Sequence, residues 1–157
     1  MTEIKEIETF WMFFASFAFI IIATLLDFFI VKNAKLNYLL VGLFAFLFIT
    51  GAIMRKYLMD LLGKEYSVHV KINQEHTLIK SGPYKYVRHP MYYANTILTL
   101  GGVGMLGSGI GIMGILFLLI PTTIFRIIQE ERALKEKFGL KYEEYIEETN
   151  LIIPGLI

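Results

Sequence analysis

The chain has 157 residues, of which 55% are hydrophobic and only 18% are charged, and its mean hydropathy is +0.57. This composition indicates an integral membrane protein, with a single domain over residues 1–157. A net charge of +1 argues against a nucleic-acid partner, and a chain without cysteine has no disulfide framework and no thiolate metal ligand. Three scattered histidines are too few for a zinc site, so we expect no metal.

Four apolar runs approach or exceed the length of about 20 residues that a helix needs to cross a bilayer. They cover residues 10–31, 36–54, 90–106 and 110–128. We therefore predict an all-α integral membrane protein with about four transmembrane helices, a cytosolic polar loop and a C-terminal helical arm. The first run carries one charge, Asp27, close to its end. For it we favour an interfacial ion pair with Lys32 over a functional role.

Glycine and proline mark where these helices end or bend. Gly63 suits a C-cap after the second run, and Gly139 should end the arm that continues from the fourth. Pro121 predicts a kink within the fourth run. A glycine-rich stretch predicts a tight turn near Ser108, where small residues spaced by four, such as Gly104 and Ser108, allow close helix contact.

The distribution of lysine and arginine predicts the orientation, because cationic loops stay in the cytoplasm. Residues 55–88 hold seven of these side chains and residues 126–141 hold five, whereas the turn at Ser108 holds none. We predict a multi-pass protein with both termini and the polar loop in the cytosol. The first nine residues carry three glutamates and one lysine, unlike the basic start of a secretory signal, so we expect no signal peptide.

The stretch from His76 to Tyr93 is polar, cationic and aromatic, and the third apolar run follows it directly. Pro90 suits the first position of a helix, where its missing N–H has no cost. Arg88 and His89 should then lie at a helix entrance, where backbone N–H groups favour anions. The alternative is an ordinary basic loop beside the membrane.

A second polar group follows the fourth run on the same predicted side. Arg126 and Glu130 are four residues apart and share a helix face. For Arg126 we favour ligand binding over snorkelling, whereas a solvated ion pair suits Glu131 and Lys135. Arginine can bind a carboxylate, glutamate an ammonium and tyrosine a ring or a sulfonium, so the two groups together suit a small aromatic zwitterion.

Four short motifs follow one another in a specific order along the chain. They are Ser81-Gly82-Pro83-Tyr84, Arg88-His89-Pro90-Met91-Tyr92, Arg126-x3-Glu130-Glu131 and Phe138-Gly139-x2-Tyr142-x2-Tyr145. Their order and spacing resemble the isoprenylcysteine carboxyl methyltransferases, and the related phospholipid methyltransferases share the Arg-His-Pro-x-Tyr core. The resemblance covers roughly residues 63–155. Ala94 and Leu151 depart from it, standing where many members have glycine and arginine.

The resemblance implies a cofactor, a substrate and the residues that hold them. It implies S-adenosyl-L-methionine as methyl donor, an active site at the cytosolic membrane face, and a lipophilic acceptor that enters from the bilayer. Arg126 matches the substrate-binding and catalytic arginine. The residues that match cofactor contacts lie in the regions 76–93 and 126–145 and are His76, Thr77, Leu78, Ile79, Tyr84, His89, Pro90, Met91, Tyr92 and Glu130.

The acceptor and the reaction class stay open at this point. An isoprenylcysteine-like carboxylate is the leading acceptor and needs no base. A phospholipid amine or a small molecule would need one, for which His89 and Glu131 are candidates. An NADPH-dependent membrane reductase of the sterol type and a non-enzymatic scaffold or small transporter also fit, although spans almost without charge count against transport.

Overall fold

The computed structural model describes residues 2–31, 37–63 and 78–152, and within these the regular structure is helical. The α-helices of these segments are α1 (Thr2–Leu26), α2 (Tyr38–Leu62), α3 (Pro90–Met105), α4 (Gly109–Gly114), α5 (Ile120–Phe138) and α6 (Leu140–Glu148). Asp27–Val31 extends α1 as a π-turn, Ile115–Leu119 joins α4 to α5 as another, and a 3-10 turn at Gly82–Lys85 precedes α3.

Three of the helical stretches are long and apolar enough to cross a membrane: Glu8–Ile30, Tyr38–Leu62 and Gly109–Phe138. They correspond to the first, second and fourth predicted spans and confirm the all-α membrane class. The second and fourth helices continue past the predicted apolar spans to the predicted caps at Gly63 and Gly139. Helix α3 has 16 residues, about 24 Å at 1.5 Å per residue, which is shorter than a hydrocarbon core of about 30 Å. A fourth crossing by α3 stays a prediction.

Glycines allow α2 and α3 to pack with their backbones in contact. A β-carbon on Gly51 would lie 2.6 Å from the backbone nitrogen of Leu98, and one on Gly101 would overlap the backbone of α2. Gly104 faces the ring of Phe44 in the same way. The close contact predicted at Gly104 is therefore made between two helices of one chain.

Helix α1 packs on the other side of the bundle, against α4 and α5. Ile20 is buried with Ile115 and Leu119 in the main apolar cluster of the described residues. A β-carbon on Gly111 would overlap the hydroxyl of Thr24, so the start of α4 lies close to the end of α1. This packing sets the register between α1 and α5, on which the candidate site depends.

Asp27 fastens the end of α1 to the turn between α3 and α4. Its Oδ2 accepts a hydrogen bond from the Ser108 hydroxyl at 2.6 Å, and the Ile110 N–H lies 3.4 Å from the same oxygen. The predicted partner, Lys32, lies outside the described residues. The tight turn predicted near Ser108 is confirmed, with Gly107 in the left-handed region at φ +64°.

The predicted helix ends are also present. The N–H of Gly63 bonds back to the last turn of α2, and the N–H of Gly139 bonds to the Lys135 carbonyl at 2.9 Å. The π-turn Ile115–Leu119 ends two residues before Pro121. A π-turn and a proline are both recognised causes of a helix kink.

Candidate active site

The N-terminus of α3 lies next to the C-terminal end of the described chain. His89 is the N-cap and Pro90 is the first helical residue, as predicted, and both are buried. The backbone N–H of Arg88 donates to the Asn150 carbonyl and that of His89 to the Leu151 carbonyl, both at 2.9 Å. These two N–H groups are therefore used within the chain, and anion binding by the N–H groups of the first turn of α3 stays a prediction.

Glu131 is the centre of a buried polar cluster. Its Oε1 accepts hydrogen bonds from His89 Nε2 and from the Tyr142 hydroxyl, each at 2.7 Å. Arg88 Nε donates to the same oxygen at 3.1 Å. Arg88 also donates through a second nitrogen to the Thr149 carbonyl at 2.6 Å. We call Arg88, His89, Glu131 and Tyr142 the Glu131 cluster; it ties together α3, α5 and α6.

The cluster corrects the interpretation of Glu131 as a solvated partner of Lys135. The Glu131 side chain is 16% exposed and is bound by donors from other parts of the chain instead. Because Oε1 already accepts three hydrogen bonds, this oxygen is poorly placed to take a proton from an amine substrate. The sequence feature that could have indicated the burial of Glu131 is the glycine at position 139 followed by Tyr142 and Tyr145. The turn at Gly139 folds α6 back onto α5 and brings Tyr142 to Glu131.

The tyrosines of α6 act as neutral donors. Burial raises the pKa of Tyr145 to about 12, and its hydroxyl donates to the Tyr84 carbonyl at 2.5 Å. Burial and the hydrogen bond to Glu131 also raise the pKa of Tyr142 above its ordinary value. Both phenols therefore keep their protons across the neutral range, and the contacts of α6 do not depend on pH there.

A second arrangement lies beside the first and joins Arg126, Tyr92 and Glu130. Arg126 Nε donates to the Tyr92 oxygen at 3.0 Å, and the Tyr92 hydroxyl donates to Glu130 Oε2 at 2.8 Å. We call these three residues the Tyr92 relay. Arg126 is only 4% exposed, whereas the Glu130 side chain is 33% exposed. The predicted pairing of Arg126 and Glu130 on one helix face thus includes Tyr92 between them.

An aromatic residue of α1 lies against the relay. The ring centroid of Phe13 is 5.4 Å from Arg126 Cζ, which is a cation–π contact. The same ring meets Tyr92 edge-on, with the centroids 6.0 Å apart. The sequence assigned Phe13 no role, because a phenylalanine in an apolar span gives no chemical signal.

The family model described as "Isoprenylcysteine carboxyl methyltransferase (ICMT) family" matches residues 40–136, more than half of the chain. This chain belongs to that family. The matched segment contains the three residues of the Tyr92 relay, whereas Phe13 and Tyr142 lie outside it. The family predicted from the motifs is thereby confirmed.

Relatives in other organisms agree with this assignment. The chain is 36% identical over 108 residues to the protein-S-isoprenylcysteine O-methyltransferase of Schizosaccharomyces pombe, covering 66% of this chain and 45% of that protein. It is 34% identical over 110 residues to protein-S-isoprenylcysteine O-methyltransferase B of Arabidopsis thaliana, covering 68% and 55%. The chain thus spans about half the length of the curated relatives it matches.

A solved structure shares the fold. It is the structure of the eukaryotic intramembrane Ras methyltransferase ICMT, with a TM-score of 0.73 and 23% sequence identity. The match covers 89% of this chain and 52% of that one. The arrangement of helices is therefore that of an intramembrane ICMT-type protein.

The site residues predicted from the family resemblance fall into three groups. Four meet in or beside the Tyr92 relay: His89, Tyr92, Arg126 and Glu130. An apolar cluster around buried Leu58 of α2 contains Ile79, Tyr84 and Met91, and the remaining two, Leu78 and Pro90, precede Ile79 and Met91 in the chain. His76 and Thr77 lie outside the described residues. A metal site has no support in the described ranges, where no group of three histidine or acidic side chains is arranged to hold an ion.

Proposed function

We propose that this family member is an S-adenosylmethionine-dependent methyltransferase acting on the carboxylate of an isoprenylcysteine-like lipophilic acceptor. The observation that carries the proposal is the Tyr92 relay within the family-matched segment. The relay places a cation and a carboxylate one helical turn apart on α5. The cation suits an anionic acceptor, and the carboxylate suits the ammonium of the methyl donor.

The residues around Glu130 fit the amino-acid end of such a donor. Glu130 Oε2 and His89 Nδ1 are 3.9 Å apart, too far for a direct hydrogen bond. His89 Nε2 faces the Glu131 carboxylate and must donate to it, so in a neutral imidazole Nδ1 is the acceptor. Two acceptors at this separation can each receive an N–H from one ammonium group.

The protein's part in the reaction is positioning and exclusion of water. S-adenosylmethionine supplies a methyl group on a sulfonium sulfur, and an in-line displacement carries it to the carboxylate oxygen as the carbon–sulfur bond breaks. Arg126 orients the acceptor's carboxylate, which is already ionised and needs no base. Arg126 is buried, so its charge acts in a medium of low dielectric, where such an interaction is stronger than in water.

The apolar surface near Arg126 supports an acceptor that arrives from the bilayer. Ile124 and Phe125, its neighbours on α5, are exposed apolar residues that lipid would cover. The start of α3 and the polar residues of α5 meet beside Phe13, in the N-terminal half of α1, whereas the contact between Asp27 and Ser108 lies beyond the C-terminal end of α1. With the charge rule, this grouping favours a site at the cytosolic face, where the cofactor is soluble.

A binding panel in detergent tests the proposal first. We expect S-adenosylhomocysteine to raise the thermal midpoint and to give a calorimetric Kd, and NADPH to do neither. Labelled methyl from S-adenosylmethionine should then transfer to N-acetyl-S-farnesylcysteine and not to its carboxamide. Stabilisation by NADPH alone would favour a reductase, and a response to neither compound would favour a scaffold.

A further inference from the structure

Phe13 occupies a different environment from the aromatic residues beside it on α1. Its ring contacts Arg126 and Tyr92, and it meets Phe17, one turn further along, with the centroids 5.0 Å apart. Phe14 is 56% exposed and pairs with Phe10 instead. Phe13 and Phe14 therefore differ in what they touch, although they are consecutive and chemically identical.

The position of Phe13 is held by polar contacts in the next turn of α1. The Ser16 hydroxyl bonds to the Phe13 carbonyl at 2.7 Å and lies 3.3 Å from the hydroxyl of Thr122 on α5. Ser16 is buried, so this contact fixes the register of α1 against α5. The packing of α1 against α5 thus holds the Phe13 ring next to Arg126.

Arg126 is buried, whereas Phe13 is only partly buried. One face of the Phe13 ring lies on the guanidinium, and Phe17 extends the aromatic surface along α1 towards the middle of the span. A ligand with an anionic group joined to a long apolar chain matches this order, with its charge at Arg126 and its chain along Phe13 and Phe17.

We infer that Phe13 is a positioning and specificity-determining residue: its ring orients the Arg126 guanidinium and forms the wall along which the apolar chain of an anionic acceptor lies. The specificity role rests on the proposed function, because it concerns the acceptor. The positioning role rests only on the contact between the Phe13 ring and the Arg126 guanidinium. It gives the N-terminal helix, which lies outside the family-matched segment, a part in choosing the substrate.

The guanidinium can be observed without any turnover. The chain has four arginines, so the Nε–H signals of the ¹⁵N-labelled protein are few, and Arg126→Lys assigns the one of interest. In the wild type we expect that signal to be shifted upfield by the ring and to exchange slowly. Phe13→Leu should remove the shift, Phe13→Tyr should restore it, and Phe14→Leu should leave it unchanged. An unshifted wild-type signal, or equal effects of the two leucine variants, overturns the positioning role.

Acceptor kinetics test the specificity role. We expect Phe13→Leu to raise KM for N-acetyl-S-farnesylcysteine by about fivefold to tenfold, because the apolar chain loses part of the wall that it packs against. The Kd for S-adenosylhomocysteine should stay within about twofold of the wild type, because the lost contact is on the acceptor side. Equal loss of cofactor affinity, or an unchanged KM, contradicts the specificity role. If the wild type binds no S-adenosylhomocysteine, the proposed function fails, while the Arg126 signal still decides the positioning role.

Discussion

Glu130 and Glu131 are consecutive residues of α5, but they lie in opposite kinds of environment. Glu131 is largely buried, and one of its oxygens accepts from Arg88, His89 and Tyr142. Glu130 is twice as exposed and, within the described segments, accepts one hydrogen bond, from Tyr92. The difference indicates that Glu131 holds the fold, whereas the proposed function assigns the charge of the next residue, Glu130, to a ligand.

The same contrast separates the two arginines near these glutamates. Arg88 donates hydrogen bonds within the protein, to Glu131 and to the carbonyl of Thr149 at the end of α6. Arg126 lies between a phenol and a phenyl ring, and under the proposed function it binds the anionic group of the acceptor. We therefore expect variants of the Glu131 cluster to lose stability and variants of the Tyr92 relay to lose ligand binding.

The largest effect is expected for Glu131→Ala. It leaves Arg88 and its neighbours buried without a carboxylate, which typically costs about 3–5 kcal/mol. The thermal midpoint and the monodisperse yield in detergent should both fall, with Glu136→Ala, an exposed position on the same helix, as control. A normal midpoint for Glu131→Ala would show that the cluster does not hold the three helices together.

Glu130→Ala should produce the opposite pattern. The protein should keep its thermal midpoint without ligand, because Glu130 has only one intramolecular hydrogen-bond donor among the described residues. Its affinity for S-adenosylhomocysteine should fall by about 2–4 kcal/mol, the usual cost of removing a charged partner. Calorimetry on the wild type, Glu130→Ala and Glu130→Gln measures this, and undiminished affinity in both variants would remove Glu130 from the cofactor site.

Arg126 variants separate the donor from the acceptor. Arg126→Ala should lower kcat/KM for an anionic acceptor by about 100-fold, since a buried cation is lost. The affinity for S-adenosylhomocysteine should change little. Arg126→Lys should recover only part of the activity, because an ammonium lacks the planar fork that binds a carboxylate. Full activity of the lysine variant would indicate a snorkelling anchor instead.

Tyr92→Phe should give the smallest effect and tests whether the relay acts as a unit. The substitution keeps the ring that Phe13 contacts and removes the hydroxyl between Arg126 and Glu130. We expect losses of about 1 kcal/mol each in cofactor and in acceptor binding, the scale of one hydrogen bond. A loss confined to one ligand would show that Arg126 and Glu130 act separately.

The features that could be predicted from the sequence are local ones. A run of apolar residues defines a span, a glycine such as Gly63 or Gly139 ends a helix, and Pro90 opens one, all without reference to the rest of the chain. The order and spacing of four short motifs together predicted the family, and two of these motifs supplied His89, Arg126 and Glu130 of the candidate site.

The features that could not be predicted depend on contacts between distant segments. Arg88 and Tyr142 lie 43 and 11 residues from Glu131, and they meet it only because α6 folds back. Asp27 finds Ser108 at a distance of 81 residues, where the sequence offered the nearer Lys32. Phe13 carries no polar group, so only its position in the packed bundle distinguishes it from Phe14.

The most direct test of the central claim is the chemical nature of the methylated product. The purified protein would be incubated with methyl-labelled S-adenosylmethionine and N-acetyl-S-farnesylcysteine, and the isolated product treated with alkali. A carboxyl methyl ester releases its label as volatile methanol, whereas methyl groups on nitrogen or sulfur stay attached. We predict that all the label in the wild-type product is released as methanol, and that Arg126→Ala forms about 100-fold less of this product at equal protein and equal cofactor occupancy. Label that resists alkali, or no labelled product from protein that binds S-adenosylhomocysteine, would contradict carboxyl methyl transfer.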